Sequence, residues 1–538
     1  MNKKTFLKGA AILGVAGIIV QVMGAIFRIP LANIIGDDGM GYYQTVYPIY
    51  IFLLVFSTNG APAAISKMTS ERIAVGKAYE AHRVFRLSFL FMGAFGIVTS
   101  CIFFFGAEKI IALMGAHEKS YYAMIAIAPA LLLISIMSVY RGYFQGMQDM
   151  SPTASSQLIE QAVRVGTGLV LAFVLLPMGI EYAAAGATLG TAIGPIAGIV
   201  VLMIIYAIKR EKIHGAFERT ARTVNGKEKE GAGSIIKTLA AIAIPITVGV
   251  SISPIMNLAD VFLVFRRLQA AGFDRDDANA LFGQLTGMAG PIINIPMALA
   301  LSMALSMVPA IAAAKSSKDT EFLNINVRLG LRTAMIIGIP CCFGLAILAK
   351  PIMRLLYPLQ MESAVNAAGC LAILSIGVIF LCVAQTMAGV LQGFGKLGIA
   401  VLSLAIGVAV KCAATWYLAG IPKLNIEGAA IGSVLGFVTV AAVSFVAVQR
   451  ITRIRFNFTL SVVKPLIAGI IMGVLVFASY KGISFAISDR LATVVSICIG
   501  AAAYGVTLLK IKAIVESEIV MLPKGAKLVL LLKKLRLI

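Results

Sequence analysis

Lys411 lies about 14 residues into the apolar stretch Leu397–Ala419, roughly 21 Å deep if the stretch is helical. No acidic residue in that stretch can pair with it. An ionised group at such depth is costly in hydrocarbon, so it faces a cavity or a partner on another helix. Arg164 is a second deep cation, within Gln157–Met178. Glu160 stands four residues before it, so a self-neutralising pair competes with a cavity role. Arg28 lies in the outer part of Phe6–Ile35, beside Pro30, which should kink a helix. It either lines a cavity or snorkels to the outer surface. Asp260, in Ile235–Phe265, fits a coupling-ion site or a partner for Arg28 or Arg266. Asn59, Asn257 and Asn294 offer hydrogen bonds to a substrate or to neighbouring helices. Arg28, Arg164 and Lys411 together give a cationic bias. That suits an anionic substrate, because charge is expensive to carry through lipid unless it is paired. An exporter of organic cations should carry the opposite bias.

These groups must be positioned by membrane helices. Hydrophobic residues make up 59% of the 538 and charged residues only 13%. Mean hydropathy is +0.94. Fourteen stretches are long enough to cross a hydrocarbon core, for which roughly 20 residues are needed. They are Phe6–Ile35, Tyr43–Ser66, Arg83–Gly106, Tyr121–Phe144, Gln157–Met178, Tyr182–Ile208 and Ile235–Phe265, then Phe282–Ala314, Val327–Ala349, Ala364–Gln392, Leu397–Ala419, Glu427–Val448, Leu460–Lys481 and Arg490–Leu509. A barrel would show short alternating strands instead. The expected fold is an all-α polytopic membrane protein. The N-terminal run after Lys3, Lys4 and Lys8 imitates a secretory signal, but it continues to Ile35, too far for a cleaved segment, and reads as the first span.

The net charge of +22 does not indicate nucleic acid. Basic residues collect in alternate loops, among them Lys67, Arg72 and Lys77, then Lys209, Arg210 and Lys212, then Lys315 and Lys318, then Arg450, Arg453 and Arg455. The opposite loops carry Asp37, Asp38, Glu181, Asp274, Asp276 and Asp277. By the positive-inside rule both termini face the cytoplasm of a multi-pass protein in the cell membrane. The tail Ala526–Ile538 mixes leucines with lysines and reads as an interfacial helix on anionic lipid.

Enzyme chemistry finds no constellation. Cys101, Cys341, Cys342, Cys370, Cys382, Cys412 and Cys498 all sit in apolar runs and read as small core residues, not as disulfides or a metal site. His82, His117 and His214 read as loop residues. The glycine-lysine pairs at Gly76, Gly226 and Gly395 lack the following Ser or Thr of a phosphate-binding loop. No metal or cofactor is expected, beyond a coupling ion of unknown identity.

The chain contains a duplication. Gln145-Gly146 and Gln392-Gly393 match at an offset of 247, as do Arg164 and Lys411, and Pro62-Ala63 and Pro309-Ala310. Gly186, Gly190 and Gly194 match Gly428, Gly432 and Gly436 at an offset of 242. The repeat unit is six spans. An even unit re-enters the membrane in the same sense, so the copies are parallel. The expected organisation is an N-lobe over 1–208, a cytoplasmic linker over 209–234, a C-lobe over 235–449, two extra helices over 450–512 and a basic tail over 513–538. Glycines four apart share a helix face and let a neighbour approach closely, a packing feature.

The opening from Lys8 to Tyr50, KGAAILGVAGIIVQVMGAIFRIPLANIIGDDGMGYYQTVYPIY, resembles Gram-positive polysaccharide-biosynthesis flippases. These are the stage V sporulation protein B group and the related MurJ-type lipid II flippases. The segment Ser138–Val165, SVYRGYFQGMQDMSPTASSQLIEQAVRV, carries the most specific likeness. The resemblance extends over the whole chain and implies the multidrug/oligosaccharidyl-lipid/polysaccharide exporter superfamily. It implies two six-helix lobes in a V shape plus two extra C-terminal helices. It also implies flipping of an undecaprenyl-pyrophosphate-linked saccharide, lipid II foremost, for peptidoglycan or polysaccharide synthesis, by a functional monomer that is not an enzyme. MurJ-type proteins use arginines in the first and second spans for pyrophosphate. Arg28 is the first-span match, whereas Tyr43–Ser66 has no arginine. The alternatives are an ion-coupled multidrug exporter using Asp260 or Glu160, and a non-transporting scaffold for wall or spore assembly.

Overall fold

The computed structural model describes residues 3–221, 230–317, 319–454 and 456–513. The tail Ala526–Ile538 lies outside the described residues, as does the middle of the linker, 222–229. Among the described residues every regular element is helical. Helices satisfy their own backbone polar groups, as a lipid environment requires.

Among the described residues twelve helices are long and apolar enough to cross a membrane. The first, Ile12–Ala74, has 63 residues, about 95 Å if straight. It is not straight. Gly36 has φ 69° and ψ −172°, a conformation open essentially to glycine alone. Arg28 and Tyr47, about 29 Å apart along a continuous helix, lie 5.5 Å from guanidinium carbon to ring centroid. The chain therefore doubles back at Gly36 and makes two passes. The stretch Ile235–Phe265 is broken at Ser251 into two shorter helices. Counting the hairpin as two passes and the broken pair as one accommodates the fourteen crossings read from the sequence.

By internal contacts the chain divides into two compact units, Met1–Gly287 and Met288–Ile538. The first unit holds α1 (Lys3–Val55), α2 (Ala61–Ala74), α3 (Ala78–Phe105), α4 (Ala107–Met114), α5 (Ser120–Gly146), α6 (Ser151–Leu175), α7 (Ile180–Ala221), α8 (Ala232–Val250), α9 (Ile252–Ala270) and α10 (Arg275–Gly283). Ile235, Leu239 and Ala243 of α8 join a buried cluster with Ile65, Met68, Val84, Met92 and Val139. The seventh span is thus packed in the first unit. Helix α7 continues to Ala221, well into what the sequence presents as a loop.

The second unit holds α11 (Gly290–Ser316), α12 (Thr320–Ile347), α13 (Ala349–Leu356), α14 (Met361–Gly393), α15 (Leu397–Leu418), α16 (Asn425–Thr452), α17 (Lys464–Ile483) and α18 (Asp489–Lys510). The short helices α4 and α13 are repeat equivalents, 242 residues apart, that hydropathy alone does not reveal.

Internal packing within each unit confirms the duplication and corrects its register. An added Cβ on Gly194 would lie 2.9 Å from Arg164 Cβ, and one on Gly436 would lie 3.0 Å from Lys411 Cβ. The two cations therefore occupy equivalent places against equivalent glycines. Gly146 meets Ser66 and Thr69, whereas Gly393 meets Val308 and Ile311. Gly142 meets Pro62, whereas Gly389 meets Ala304. The second and eighth spans are therefore related by 242, and the likeness of Pro62-Ala63 to Pro309-Ala310 is not an equivalence. The five extra residues lie in α14, which has 33 residues where α5 has 27.

None of the seven cysteines forms a disulfide; Cys342, Cys370 and Cys382 are buried, but Cys101 and Cys498 are exposed. His82 is not in a loop: it is buried in α3 against Phe85 and Tyr143. His214 falls within α7. Among the described residues no group of His, Cys, Asp and Glu could hold a metal ion.

Candidate functional site

The hairpin at Gly36 brings the two arms of α1 together in the first unit. On the returning arm Tyr43, Tyr47 and Tyr50 share one helix face, at i, i+4 and i+7. Tyr43 and Tyr47 stack at 5.6 Å between centroids, and Tyr47 and Tyr50 lie 5.9 Å apart. Tyr43 and Tyr50 are buried; Tyr47 is half-buried. Arg28, on the outgoing arm, rests over the Tyr47 ring. The negative face of the ring attracts the guanidinium without neutralising it.

Arg164 enters from α6. A Cβ added to Gly24 would lie 3.8 Å from Arg164 Nη2. The charge of Arg164 acts on Tyr43, Tyr47 and Tyr50, and that of Arg28 on Tyr43. The tyrosine ladder therefore ties the two arginines into one cluster. Close approach of α7 fixes Arg164 from behind: Gly190 meets the Arg164 carbonyl oxygen and Gly194 its Cβ.

Of the two readings of Glu160, the pair with Arg164 is not among the ion pairs of the described residues. Arg141 of α5 donates to the Glu160 carboxylate at 2.7 Å and to Ser156 Oγ at 3.0 Å. Both side chains are mostly buried, at 14% and 17% exposure. Among the described residues neither Arg28 nor Arg164 makes an ion pair. Three arginines against one glutamate leave the cluster with a net positive charge at membrane depth, the condition that attracts an anion.

Five members of this cluster are not evident from the sequence: Arg141, Tyr43, Tyr47, Tyr50 and Gln161. Arg141 sits near a span end and looks like an interfacial residue. The tyrosines carry a legible signal, their helical spacing. Gln161, 3% exposed, has an Nε2 with no hydrogen-bond partner among the described residues; its position one turn before Arg164 is the available clue.

Lys411 lies in the second unit, 5% exposed on α15, with its stem against Gly436. It is engaged within the protein. Arg332 of α12 is a second buried cation of that unit. The other candidates are dispersed. Asp260 is half-buried in α9 and is engaged. Arg266, one of its proposed partners, is exposed and donates to the Leu113 carbonyl oxygen at 3.1 Å. Asn59 is exposed in a wide π turn over Phe56–Gly60 and donates to Thr58 Oγ1. Asn257 is exposed on α9, and Asn294 is half-buried on α11.

Residues 6–315 match the family described as polysaccharide biosynthesis protein. The chain belongs to that family. Stage V sporulation protein B of Bacillus subtilis (strain 168) is 29% identical over 534 residues, covering 98% of this chain and all of that protein. Lipid II flippase MurJ of the same organism is 27% identical over 518 residues, covering 93% and 94%. A solved structure of lipid II flippase MurJ in an inward closed conformation superposes with a TM-score of 0.69 at 15% identity, covering 92% of this chain and 97% of that one. At that identity the likeness is one of fold.

The resemblance carried by Lys8–Tyr50 and Ser138–Val165 therefore holds. This polysaccharide biosynthesis family member is a MurJ-like, multi-pass membrane protein of the multidrug/oligosaccharidyl-lipid/polysaccharide exporter superfamily. Within the family match the second span carries Tyr43, Tyr47 and Tyr50 and no arginine, and Tyr47 lies beneath Arg28.

Proposed function

We propose that this protein flips an undecaprenyl-pyrophosphate-linked saccharide precursor, lipid II foremost, from the inner to the outer leaflet of the cell membrane by alternating access. The observation that carries the reading is the Arg28–Tyr47–Arg164 cluster, cationic on balance and built from membrane helices. A pyrophosphate carries negative charge that lipid rejects, and guanidinium groups bind phosphate oxygens through several hydrogen bonds at once. The polyprenyl tail needs no such help and stays in lipid. Lys411, the repeat counterpart of Arg164, supplies a second cation in the second unit. The relative named lipid II flippase supports the substrate class. Positive loops place both termini in the cytoplasm. In this reading the repeat copies 1–208 and 235–449 are the moving parts, the protein works as a monomer, and any coupling ion is a secondary partner.

The commitment of Glu160 to Arg141 weighs against a drug exporter that would use Glu160 as its coupling carboxylate. The test is lipid II accessibility from outside in cells depleted of the protein. A fall in outward exposure is expected; unchanged exposure rejects the lipid II assignment.

A further inference from the structure

Two hydrogen-bond donors point at one place on α1 where a side chain is missing. A Cβ built on Gly24 would lie 3.4 Å from Gln161 Nε2 and 3.8 Å from Arg164 Nη2. Gln161 is 3% exposed, and its Nε2 is buried without an acceptor among the described residues. A buried N–H left without an acceptor is costly to keep, and an amide NH2 has two donor hydrogens to satisfy. Gln161 and Arg164 are three residues apart on α6 and share a face. Arg28 stands one turn beyond Gly24 on α1, with Tyr47 beneath it. Two donors of α6 thus reach the same point on α1, where the residue is a glycine.

We propose that Gly24, Gln161 and Arg164 form a subsite for one phosphate oxygen of an anionic head group, beside Arg28 and Tyr47. The inference rests on the flippase reading and adds to it a neutral donor and an obligatory glycine. Arg164 supplies charge, Gln161 directs an N–H at the same oxygen, and Gly24 supplies the room. Loss of the saccharide would leave this subsite occupied, because it addresses the phosphate.

Gly24→Ala separates this role from packing. The added methyl would meet its nearest neighbour at 3.4 Å, an ordinary contact, and alanine is the better helix former. A purely structural glycine would therefore tolerate the change or gain stability. The full chain in nanodiscs is titrated with undecaprenyl pyrophosphate and with inorganic pyrophosphate, and Kd and Tm are read together. Gly24→Ala and Gln161→Leu should each weaken binding about tenfold, the scale of one hydrogen bond to a charged group. The Tm of Gly24→Ala should not fall. Weakening of both probes assigns the oxygen to pyrophosphate itself, and weakening of the lipid probe alone assigns it to the lipid head group; either supports the subsite. Wild-type affinity in Gly24→Ala overturns the subsite and leaves the flippase reading standing. Absence of binding of both probes by the wild type overturns the two together.

Discussion

Arg28 sits 5.5 Å over the ring of Tyr47, on opposite arms of a hairpin closed at Gly36. The contact joins the first two passes and presents a cation that pairs with no carboxylate among the described residues. Such a contact is worth about 0.5–2 kcal/mol. Tyr47→Phe keeps the ring and should flip at near the wild-type rate. Tyr47→Ala should slow flipping about tenfold, and Arg28→Ala should slow it at least as much. The rate of outward exposure of labelled lipid II in liposomes measures all three. A Tyr47→Phe as slow as Tyr47→Ala would assign the role to the hydroxyl instead.

Lys411 and Lys423 offer a matched comparison on one stretch of chain. Lys411 is buried on α15, whereas Lys423 is exposed after the helix end. Lys411→Ala should impair flipping several-fold more than Lys423→Ala. Equal losses would mean that overall charge, rather than position, matters.

Arg141 is expected to be structural first. Removing it leaves Glu160 mostly buried with no guanidinium to hold it, at a cost of about 2 kcal/mol. Arg141→Ala should lower the Tm in detergent, and Arg141→Met combined with Glu160→Gln should recover most of the loss, because the stranded charge is gone. A double variant no better than the single one would argue against this.

In the first unit, Arg72 Nη2 donates to the Glu230 carboxylate at 2.5 Å, and Ser234 Oγ donates to it at 3.2 Å. Partial burial pushes the Glu230 carboxyl up, but the bond to Arg72 and its charge outweigh that and hold it below its usual range. A carboxyl depressed in the folded state stabilises at neutral pH and loses that contribution as pH falls through its folded value. The contribution is about 0.5–1 kcal/mol after solvent screening. Glu230→Gln should lower the Tm at pH 7, with the difference closing below about pH 4. A difference that persists there would assign the effect to packing.

Much of this architecture is legible in the chain. Spans follow from hydropathy, and the repeat follows from Arg164, Lys411 and two glycine stripes, because close helix contact tolerates only small residues at fixed spacing. What failed did so for physical reasons. Pro62 and Pro309 look alike, yet α14 carries extra residues that shift the register, and only contacts across helices show where an insertion falls. Glu160 was read against its own helix, whereas its partner Arg141 comes from α5, out of reach of any spacing rule. The hairpin at Gly36 also hides from hydropathy, since it shows only as a backbone angle. A glutamine in a span, such as Gln161, draws attention only once its amide proves to lack an acceptor among the described residues.

The central claim is that the cations of the first unit carry the pyrophosphate of a lipid-linked saccharide across the membrane. Its most direct measurement is reconstitution into liposomes with labelled lipid II, with and without an ion gradient, comparing the wild type with the Arg28→Ala, Arg164→Ala double variant. Wild-type vesicles should expose lipid II on the far leaflet and the correctly folded double variant should not. Equal exposure by both proteins, or none by the wild type under any gradient, would contradict it.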